Sequence, residues 1–577
     1  MRKASAEICK EWLESKMLTK EQTDELLEAM KDENDIEERF YCDLEFGTAG
    51  MRGIIGMGTN RMNIYTVRRA AQGMSEYVIQ KHGEQSGVVI GYDTRYFSKE
   101  FAYETARVLA ANNVKAYLFE SVHATPEVSF AIRYYKAAAG VMITASHNPK
   151  EYNGFKAYGP DGGQFPPEAS DMIGNTVNSY DIFKDVKTIT DEEVSKSGLL
   201  VTIGSEVDEA FLNAVMAQQI DKNAIKDVAD DFYLIYTPFH GTGLRPVTEV
   251  LKRVGVKHLI VEPKQAVPDP AFPTVVSPNP ENKEGFKDSI ELAKKYGASL
   301  VIGTDPDADR VGVVVRDSDG EYQALTGNQI GALLCEYILS AKKKNGTLSK
   351  KSTIIKSIVT SELISKITDS YGVTLENVLT GFKYIAQKIA GYEKTGSNEY
   401  VLGFEESYGY LCGTYARDKD AVGASMLIAE MAASYKKDGK TLYDGLMDIY
   451  KKYGYYKEKT ISITMPGKDG MEKMKQLTEN IRKNPPKQFG GIKVKITQDY
   501  LSNKYYDING QSGRIGDFDF SDVMKFMLED EKTFVVVRPS GTEPKIKLYI
   551  GTATDDMKKS EKKLETIESD AKKQLNL

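Results

Sequence analysis

The chain has 577 residues, more than one hydrophobic core normally serves, so we expect about three to five domains. Its hydrophobic fraction of 41% and charged fraction of 28% are ordinary for a soluble globular protein. The formal net charge of −7 argues against general binding to nucleic acid.

Features that the sequence lacks indicate the cellular compartment of the protein. Residues 1–17 alternate charged and apolar side chains without an uninterrupted apolar stretch, so we expect no signal peptide. No segment approaches the length of a membrane span. The 4 cysteines lie far apart and form no CxxC pair, which favours a reducing compartment without a disulfide framework or zinc site. We therefore predict a cytoplasmic protein that binds neither membrane nor nucleic acid.

The first part of the chain is predicted to be helical. Over residues 1–40, Trp12, Leu13 and Leu18 lie among charged residues at roughly helical spacing, and we expect an arm that packs on a neighbouring domain.

A glycine-rich stretch follows over residues 44–58. Its glycines permit a close backbone approach to a ligand, and Arg52 among them is suited to bind phosphate.

From Gly87 onward, predicted strands and helices alternate in three successive rounds. The order strand, helix, strand, helix, strand indicates parallel strands with right-handed crossovers. From about Tyr455 the strands dominate, which indicates an antiparallel α+β domain, and we expect a hinge near Lys457. The predicted class is α/β: three related α/β domains with mixed sheets, plus a smaller C-terminal α+β domain. The predicted divisions are 1–40 (helical arm), 41–202 (domain I), 203–322 (domain II), 323–454 (domain III) and 455–577 (domain IV).

A tight loop follows the apolar run Val141–Ile143 and carries Ser146 and His147. Open α/β sheets bind ligands at the carboxyl ends of their strands. A serine hydroxyl becomes a useful nucleophile there when a base, a metal or an attached phosphoryl group assists it. Lys156 lies ten positions further on. By itself the loop is equally consistent with an ordinary turn.

Three carboxylates, Asp305, Asp307 and Asp309, alternate directly after another predicted strand. Pro306 favours an extended backbone that lets the acids converge, and their repulsion is costly unless a cation holds them. All-oxygen ligation suits Mg²⁺ or Ca²⁺. An EF-hand is excluded, because its sixth and twelfth positions are Arg310 and Arg316. Arg310 supplies a cation for an anionic substrate. The alternative is a solvated acidic turn.

Two later loops carry groups for sugar and phosphate. Glu405 and Ser407 follow a predicted strand and can bind sugar hydroxyls, although the same residues suit a helix N-terminus. The turn at residues 538–547 can form an anion-binding nest with flanking cations, or a plain turn. Its candidate residues are Arg538, Ser540, Gly541, Thr542 and Lys547.

Taken together and in this order, the four loops resemble those of the α-D-phosphohexomutases, the phosphoglucomutase and phosphomannomutase superfamily. The resemblance covers nearly the whole chain from about residue 40. The stretches 46–62, 237–243 and 268–281 are most similar to the longer phosphoglucomutase and phosphopentomutase branch. The resemblance implies that all four domains contribute to one central cleft.

The resemblance also implies roles for individual residues. Ser146 corresponds to the family's phosphorylated serine, and its phosphate joins Asp305, Asp307 and Asp309 in binding Mg²⁺. Arg52, His147, Lys156 and Arg310 are implied to surround the transferring phosphoryl group. Lys156 is the implied general acid or base, which requires its pKa to be lowered by neighbouring cations. The implied substrate-binding residues are Glu405, Ser407, Lys419, Gly381, Lys383, Arg538, Ser540, Gly541, Thr542 and Lys547.

The implied reaction interconverts glucose 1-phosphate and glucose 6-phosphate through phosphoserine and a bound hexose 1,6-bisphosphate. Glucose 1,6-bisphosphate is the implied activator and intermediate, a sugar phosphate the only partner, and the protein a monomer or weak dimer. Phosphomannomutase and phosphopentomutase activity remain open, because loops that bind phosphate do not identify the sugar. A second alternative is a phosphatase or serine hydrolase, but the chain lacks a G-x-S-x-G nucleophile elbow, and a dedicated hydrolase has no need for a second phosphate loop. A non-catalytic sugar-phosphate-binding protein is the third alternative.

Overall fold

The computed structural model describes residues 4–47, 50–83, 86–465, 468–539 and 545–576. The chain divides into two compact units. Unit 1 comprises Met1–Leu325, Ile385–Gly396 and Ser407–Thr441, and unit 2 comprises Thr326–Tyr384, Ser397–Glu406 and Leu442–Leu577. Among the described residues, no helix combines the length and apolar composition needed to cross a bilayer.

Unit 1 begins with the predicted helical arm. Its helices are α1 (Ser5–Glu14), α2 (Lys20–Ala29) and α3 (Glu33–Phe40). Trp12 is buried and lies edge-on to Phe40, Tyr65 and Phe183, with ring centroids 5.5, 5.7 and 5.2 Å away. Since Tyr65 and Phe183 lie outside the arm, these contacts pack the arm on the domain that follows.

The first sheet of unit 1 has the strand order β1-β5-β4-β2-β3-β6. Its strands are β1 (Met51–Ile54), β2 (Gly87–Tyr92), β3 (Lys115–Phe119), β4 (Ala139–Ile143), β5 (Tyr152–Tyr158) and β6 (Leu200–Ile203). The accompanying helices are α4 (Ile64–His82), α5 (Ser98–Ala111), α6 (Thr125–Tyr134), α7 (Pro167–Ser179) and α8 (Asp191–Ser197). Strand β2 is parallel to β3 and β4, as predicted, whereas β5 is antiparallel to β4. The sheet is therefore mixed.

Helix α4 was not predicted from the sequence. It is buried on most sides, including polar residues such as Arg69 and Gln72, so no single apolar stripe marks it. Its start is fixed by Asn63, whose side chain accepts hydrogen bonds from the backbone N–H groups of Tyr65 and Thr66.

The second sheet of unit 1 has the order β11-β10-β9-β7-β8. Its strands are β7 (Tyr233–Thr237), β8 (His258–Val261), β9 (Leu300–Thr304), β10 (Val311–Arg316) and β11 (Tyr322–Ala324). Its helices are α9 (Ser205–Met216), α10 (Ala224–Asp227), α11 (Leu244–Arg253) and α12 (Lys287–Tyr296), the last preceded by a 3-10 turn at Lys283–Phe286. The order β10-β9-β7-β8, antiparallel and then parallel, repeats the order β5-β4-β2-β3 of the first sheet. Later in the chain, β15 (Gly409–Cys412) and α16 (Ala421–Lys437) also belong to unit 1.

Unit 2 begins with the third round of strands and helices. Its elements are α13 (Gly327–Lys344), β12 (Ser352–Ser357), α14 (Leu363–Tyr371), β13 (Thr374–Val378), β14 (Glu399–Glu405) and α17 (Leu442–Tyr453), while α15 (Phe382–Thr395) spans the division between the units. Strand β12 is parallel to both β13 and β14. This order matches the parallel parts of the two sheets in unit 1.

The C-terminal part of unit 2 is an antiparallel sheet in the order β16-β23-β22-β21-β18-β19-β20, with β17 paired to β18. Its strands are β16 (Tyr455–Thr464), β17 (Gln488–Phe489), β18 (Ile492–Asp499), β19 (Lys504–Asp507), β20 (Ser512–Arg514), β21 (Met524–Leu528), β22 (Phe534–Pro539) and β23 (Lys545–Thr554). Helices α18 (Lys468–Lys483) and α19 (Met557–Gln574) complete it. The predicted α/β class with a smaller C-terminal α+β domain is confirmed.

The hinge expected near Lys457 stays a prediction. Lys457 lies inside the ten-residue strand β16 and pairs with Thr552. Buried polar contacts also join the third round to the C-terminal sheet within unit 2. Lys525 donates hydrogen bonds to the Ile358 carbonyl (2.9 Å) and to Glu362 (2.9 Å). An apolar cluster covers the same junction: Ile358, Val359, Leu379, Tyr500, Val523, Phe534, Val536 and Tyr549.

Glu458 at this junction predicts a pH-dependent stability. Burial raises its pKa to about 7 from 4.5, even though Ser361 donates a hydrogen bond to its carboxylate. The folded state therefore holds this proton more tightly than the unfolded state does. The stability that the protonated Glu458 carboxyl contributes is complete below about pH 4.5 and is lost as the pH rises toward about 7. The loss in the free energy of unfolding is at most roughly 3 kcal/mol.

Replacing Glu458 by Gln keeps an acceptor for Ser361 and removes the titration. We expect Glu458→Gln to be more stable than the wild type near pH 8, with the difference vanishing near pH 4 (both pH values approximate). Urea unfolding across this range measures it, and Glu529→Gln, at an exposed acid, is the control. A difference that does not change with pH would contradict the prediction.

Candidate active site

Ser146 lies in the turn between β4 and β5, close to the carboxyl end of β4. Its backbone adopts a left-handed φ of 52°, and the residue is only 3% exposed. A serine whose backbone adopts the left-handed conformation needs support from its surroundings. Part of that support comes from Thr144, whose Oγ1 accepts a hydrogen bond from the Ser146 N–H at 2.8 Å.

A buried guanidinium, Arg95, holds the rest of the turn. Its Nη1 donates hydrogen bonds to the carbonyls of Pro149 (2.8 Å) and Tyr152 (3.1 Å), and its Nη2 donates to those of Ser146 and Asn148. One side chain therefore binds four backbone carbonyls of the turn, and the planar, always-charged guanidinium is suited to this task.

Asp93 completes this support, and neither Asp93 nor Arg95 was predicted from the sequence. The Asp93 carboxylate accepts a hydrogen bond from Thr144 Oγ1 at 2.6 Å and lies 3.5 Å from Arg95 Nε. Both residues follow β2, the parallel neighbour of β4. A signal for them was present, since polar residues at the carboxyl end of an adjacent parallel strand lie near the same ligand.

The three predicted acids come together in the turn between β9 and β10. Asp305, Asp307 and Asp309 are buried, and one oxygen of each lies within 4.8 Å of the others. Within the described part of the chain, Asp307 Oδ1 and Asp309 Oδ1 are buried without a hydrogen-bond partner. Buried, unpartnered carboxylate oxygens are costly. This all-oxygen set fits a hard divalent cation.

Ser146 and the acids form one site. Ser146 Oγ donates a hydrogen bond to Asp305 Oδ2 at 2.5 Å, although the two residues are 159 positions apart in the chain. Burial, reinforced by Asp307 and Asp309, raises the pKa of Asp305 well above its usual range. The hydroxyl therefore lies directly beside a carboxylate group that would bind a cation.

Two lysines also contact this carboxylate cluster. Lys156 Nζ lies 2.6 Å from Asp307 Oδ2 and 2.9 Å from Asp309 Oδ2. Lys419 Nζ lies 3.3 Å from Asp309 Oδ2 and 2.8 Å from Asp418. The buried lysines thus offset much of the negative charge of the acids.

The expected direction of the Lys156 pKa shift was wrong for this arrangement. Burial lowers the pKa of Lys156, but Asp307 and Asp309 outweigh it and raise the pKa above the ordinary value. Lys419 opposes them only in part. The nearest partners of Lys156 are carboxylates, whereas the sequence analysis assumed cations.

The other predicted catalytic residues contact Ser146, its turn or the acids. His147 Nδ1 is 3.2 Å from Ser146 Oγ, and burial together with Arg310 and Arg52 lowers the pKa of His147 well below its usual range. Arg52 donates a hydrogen bond to Asn148 Oδ1 at 2.9 Å. Arg310 follows Asp309 directly, with its Nε 3.9 Å from Asp309 Oδ1. His147 is therefore neutral, and the arginines carry the positive charge.

A proline-rich segment, residues 267–281, covers this part of unit 1, and its contacts were not predicted. The Phe272 ring centroid lies 5.0 Å from the guanidinium carbon of Arg95. Ser277 Oγ donates a hydrogen bond to the His147 carbonyl at 3.0 Å, and Glu281 binds Arg310 at 3.1 Å. The segment thereby holds both the serine turn and the arginine that follows the acids.

The candidate sugar-binding residues Glu405, Gly381 and Lys383 lie in unit 2. Glu405 Oε1 accepts a hydrogen bond from the Gly381 N–H at 2.7 Å, and Gly381 has a φ of 122° that favours glycine. Lys383 Nζ lies 4.9 Å from the centroid of the Tyr384 ring, and burial lowers the pKa of Lys383. Ser407 belongs to unit 1 and is half-buried.

The candidate phosphate loop joins β22 and β23 in unit 2. Arg538 and Lys547 face each other directly across these antiparallel strands. Like charges at such a position destabilise a strand pair unless an anion offsets them. Ser540, Gly541 and Thr542 lie outside the described residues.

Comparison with known proteins supplies the family. Successive parts of the chain match models of the phosphoglucomutase/phosphomannomutase α/β/α domains I (residues 43–182), II (209–320) and III (326–453) and the C-terminal domain (474–566). The phosphoglucomutase of Staphylococcus aureus (strain MRSA252) is 37% identical over 530 residues, which cover 91% of this chain and 92% of that protein. The phosphoglucomutase of Staphylococcus haemolyticus is 36% identical over 523 residues, covering 90% and 92%.

Among solved structures, the phosphoglucomutase pp63/parafusin from Paramecium shares the fold, with a TM-score of 0.66 and 17% identity over 93% of this chain and 95% of that chain. The four domain matches together span most of the sequence, and the relatives match it nearly end to end. The chain therefore belongs to the phosphoglucomutase/phosphomannomutase family.

Proposed function

We propose that this protein is a phosphoglucomutase, an intramolecular phosphotransferase that interconverts glucose 1-phosphate and glucose 6-phosphate. The observation that carries the proposal is the 2.5 Å hydrogen bond from Ser146 Oγ to Asp305, within a buried triad of carboxylates. It supports a serine that carries a phosphoryl group beside a bound cation. The relatives named phosphoglucomutase support glucose as the sugar.

We assign Asp305, Asp307, Asp309 and the phosphate of phospho-Ser146 as the groups that hold Mg²⁺. When bound, the ion supplies positive charge that offsets charge on the phosphoryl oxygens, the main need in phosphoryl transfer. Arg310 and Arg52 add positive charge from this chain. His147 is neutral. It therefore contacts the serine oxygen without acting as a further cation that would compete for the phosphoryl group.

The transfer proceeds from phospho-Ser146 to a free hydroxyl of the sugar phosphate. The bond between phosphorus and the serine oxygen breaks, a bond to the sugar oxygen forms, and the hydroxyl proton goes to Lys156. The bound glucose 1,6-bisphosphate then returns its other phosphate to Ser146, with the proton moving back from Lys156. The same bisphosphate, taken from solution, phosphorylates an unmodified Ser146.

Lys156 must be unprotonated to accept that proton. Its raised pKa comes from the carboxylates of Asp307 and Asp309. A divalent ion that shares their negative charge lowers that pKa again.

The remaining assignments concern substrate recognition. In unit 2, Arg538, Lys547 and the loop residues Ser540, Gly541 and Thr542 are assigned to the phosphate that is not being transferred, and Glu405, Gly381 and Lys383 to the sugar. In unit 1, Ser407 and Lys419 are assigned to the sugar phosphate as well. Anchoring the idle phosphate makes the reaction effectively intramolecular. We also propose a cytoplasmic monomer or weak dimer.

Replacing the nucleophile tests the proposal directly. Ser146→Ala is expected to lower kcat by at least about four orders of magnitude, because the attacking and leaving oxygen is removed. Intact-mass measurement should find one phosphoryl group on the wild type after exposure to glucose 1,6-bisphosphate, and none on the variant. Ser75→Ala removes another buried hydroxyl, which donates to the Ala71 carbonyl in its own helix, and should leave activity unchanged. Near-normal turnover by Ser146→Ala would refute the assignment.

Sugar preference is a separate prediction. A coupled assay that compares glucose, mannose and ribose 1-phosphates is expected to give the highest kcat/KM for glucose 1-phosphate. A higher value for mannose or ribose would replace the proposed substrate while leaving the mechanism in place.

Metal removal gives a further prediction that does not depend on turnover. Mg²⁺ at about 100 times its Kd should stabilise the folded wild type by about 2.7 kcal/mol, seen as a chelator-reversible rise in Tm. Asp307→Asn should lose most of this stabilisation, because the substitution removes a charged ligand oxygen. Asp319→Asn changes an exposed acid in the turn between β10 and β11, and this variant should keep the Mg²⁺-dependent stabilisation. An unchanged Mg²⁺ response in Asp307→Asn would exclude Asp307 as a ligand.

A further inference from the structure

The two carboxylate oxygens of Asp307 have different surroundings. Oδ1 is buried and has no hydrogen-bond partner among the described residues. Oδ2 accepts hydrogen bonds from Lys156 Nζ at 2.6 Å and from Thr125 Oγ1 at 2.7 Å. One oxygen is therefore available to a cation, and the other is held by two donors.

Thr125 makes a second bond to the same residue. Its backbone N–H donates to the Asp307 carbonyl at 2.8 Å. Thr125 is fully buried and is the first residue of α6, in the domain that carries Ser146, whereas Asp307 follows β9 of the second sheet. The backbone N–H and the hydroxyl of one threonine thus fix the position and the carboxylate plane of one acid.

The helix start that carries Thr125 is itself held in place. The Ala124 N–H donates to Glu127 Oε2 at 2.8 Å, and Glu127 Oε1 binds Arg245 of α11 at 2.6 Å. His123 Nε2 lies 3.0 Å from Asp208 of α9. These contacts leave Thr125 little freedom to move away from Asp307.

The two donors on Asp307 Oδ2 differ in their freedom to move. Lys156 reaches Asp307 through a long, flexible side chain that also bonds Asp309 at 2.9 Å. The side chain of Thr125 is short and has few rotamers. Thr125 is therefore the donor that holds the carboxylate in one orientation.

We propose that Thr125 is a positioning residue that aims Asp307 Oδ1 at the divalent cation. This inference rests on the proposed function, because it assumes that the carboxylate triad binds Mg²⁺. Partners that orient a metal-binding side chain typically contribute 10- to 100-fold to metal affinity. A purely structural role in joining the two domains would instead affect thermal stability and leave the affinity for Mg²⁺ unchanged.

Calorimetric titration of the full-length protein with MgCl₂, without sugar phosphate, tests this role. Thr125→Val removes the hydroxyl at nearly constant volume and is expected to weaken Mg²⁺ binding by about 10- to 100-fold. Thr125→Ser restores the hydroxyl and should bind Mg²⁺ nearly as tightly as the wild type. Thr105→Val is the matched control, because Thr105 is equally buried but its hydroxyl donates to the Phe101 carbonyl of its own helix.

The result that would overturn the inference is a folded Thr125→Val protein with wild-type affinity for Mg²⁺. Weakening that Thr125→Ser fails to repair would overturn it as well. If Thr125→Val does not fold, Thr125→Ala takes its place, and its affinity for Mg²⁺ is compared with those of the wild type and Thr125→Ser. A wild-type protein that binds no Mg²⁺ at all would refute the metal assignment in the proposed function. The titration of the wild type alone distinguishes this outcome from the others.

Discussion

The mutual repulsion of three buried carboxylates is the constraint on which the site depends. Asp305, Asp307 and Asp309 occupy one turn, and burying this much negative charge is costly unless cations compensate it. The chain supplies Lys156 and Lys419 on one side of the cluster. Among the residues that the structure describes, Asp307 Oδ1 and Asp309 Oδ1 are buried without a hydrogen-bond partner, and this is the physical basis for assigning a divalent cation.

The repeated sheet order explains how distant residues reach this charge cluster. Ser146 follows β4 and Asp305 follows β9, and these strands hold equivalent positions in two sheets with matching neighbours. In each sheet the strand has a parallel neighbour on one side and an antiparallel neighbour on the other. The turn after it therefore opens at the edge where the strands end, which is where α/β sheets bind ligands.

The serine turn shows how the fold supports an unfavourable local conformation. A left-handed φ at Ser146 costs free energy, and backbone strain of this kind persists only where the surroundings determine it. Arg95 provides that support through four carbonyls, and Asp93 and Thr144 fix the arginine and the serine N–H. The proline-rich segment, residues 267–281, adds Phe272 against the same arginine. Ser146 is thus held by the strand ends around it.

The sequence by itself determined the strand-and-helix alternation, the class of the fold and the chemistry of the loops, because apolar periodicity and residue type are local properties. It predicted Asp305 and Ser146 as candidates but could not measure their separation. Only the tertiary structure decided that the serine hydroxyl bonds Asp305, that carboxylates raise the pKa of Lys156, and that Thr125 binds Asp307. These facts depend on contacts between residues more than 140 positions apart, and such contacts leave no periodic trace in the chain.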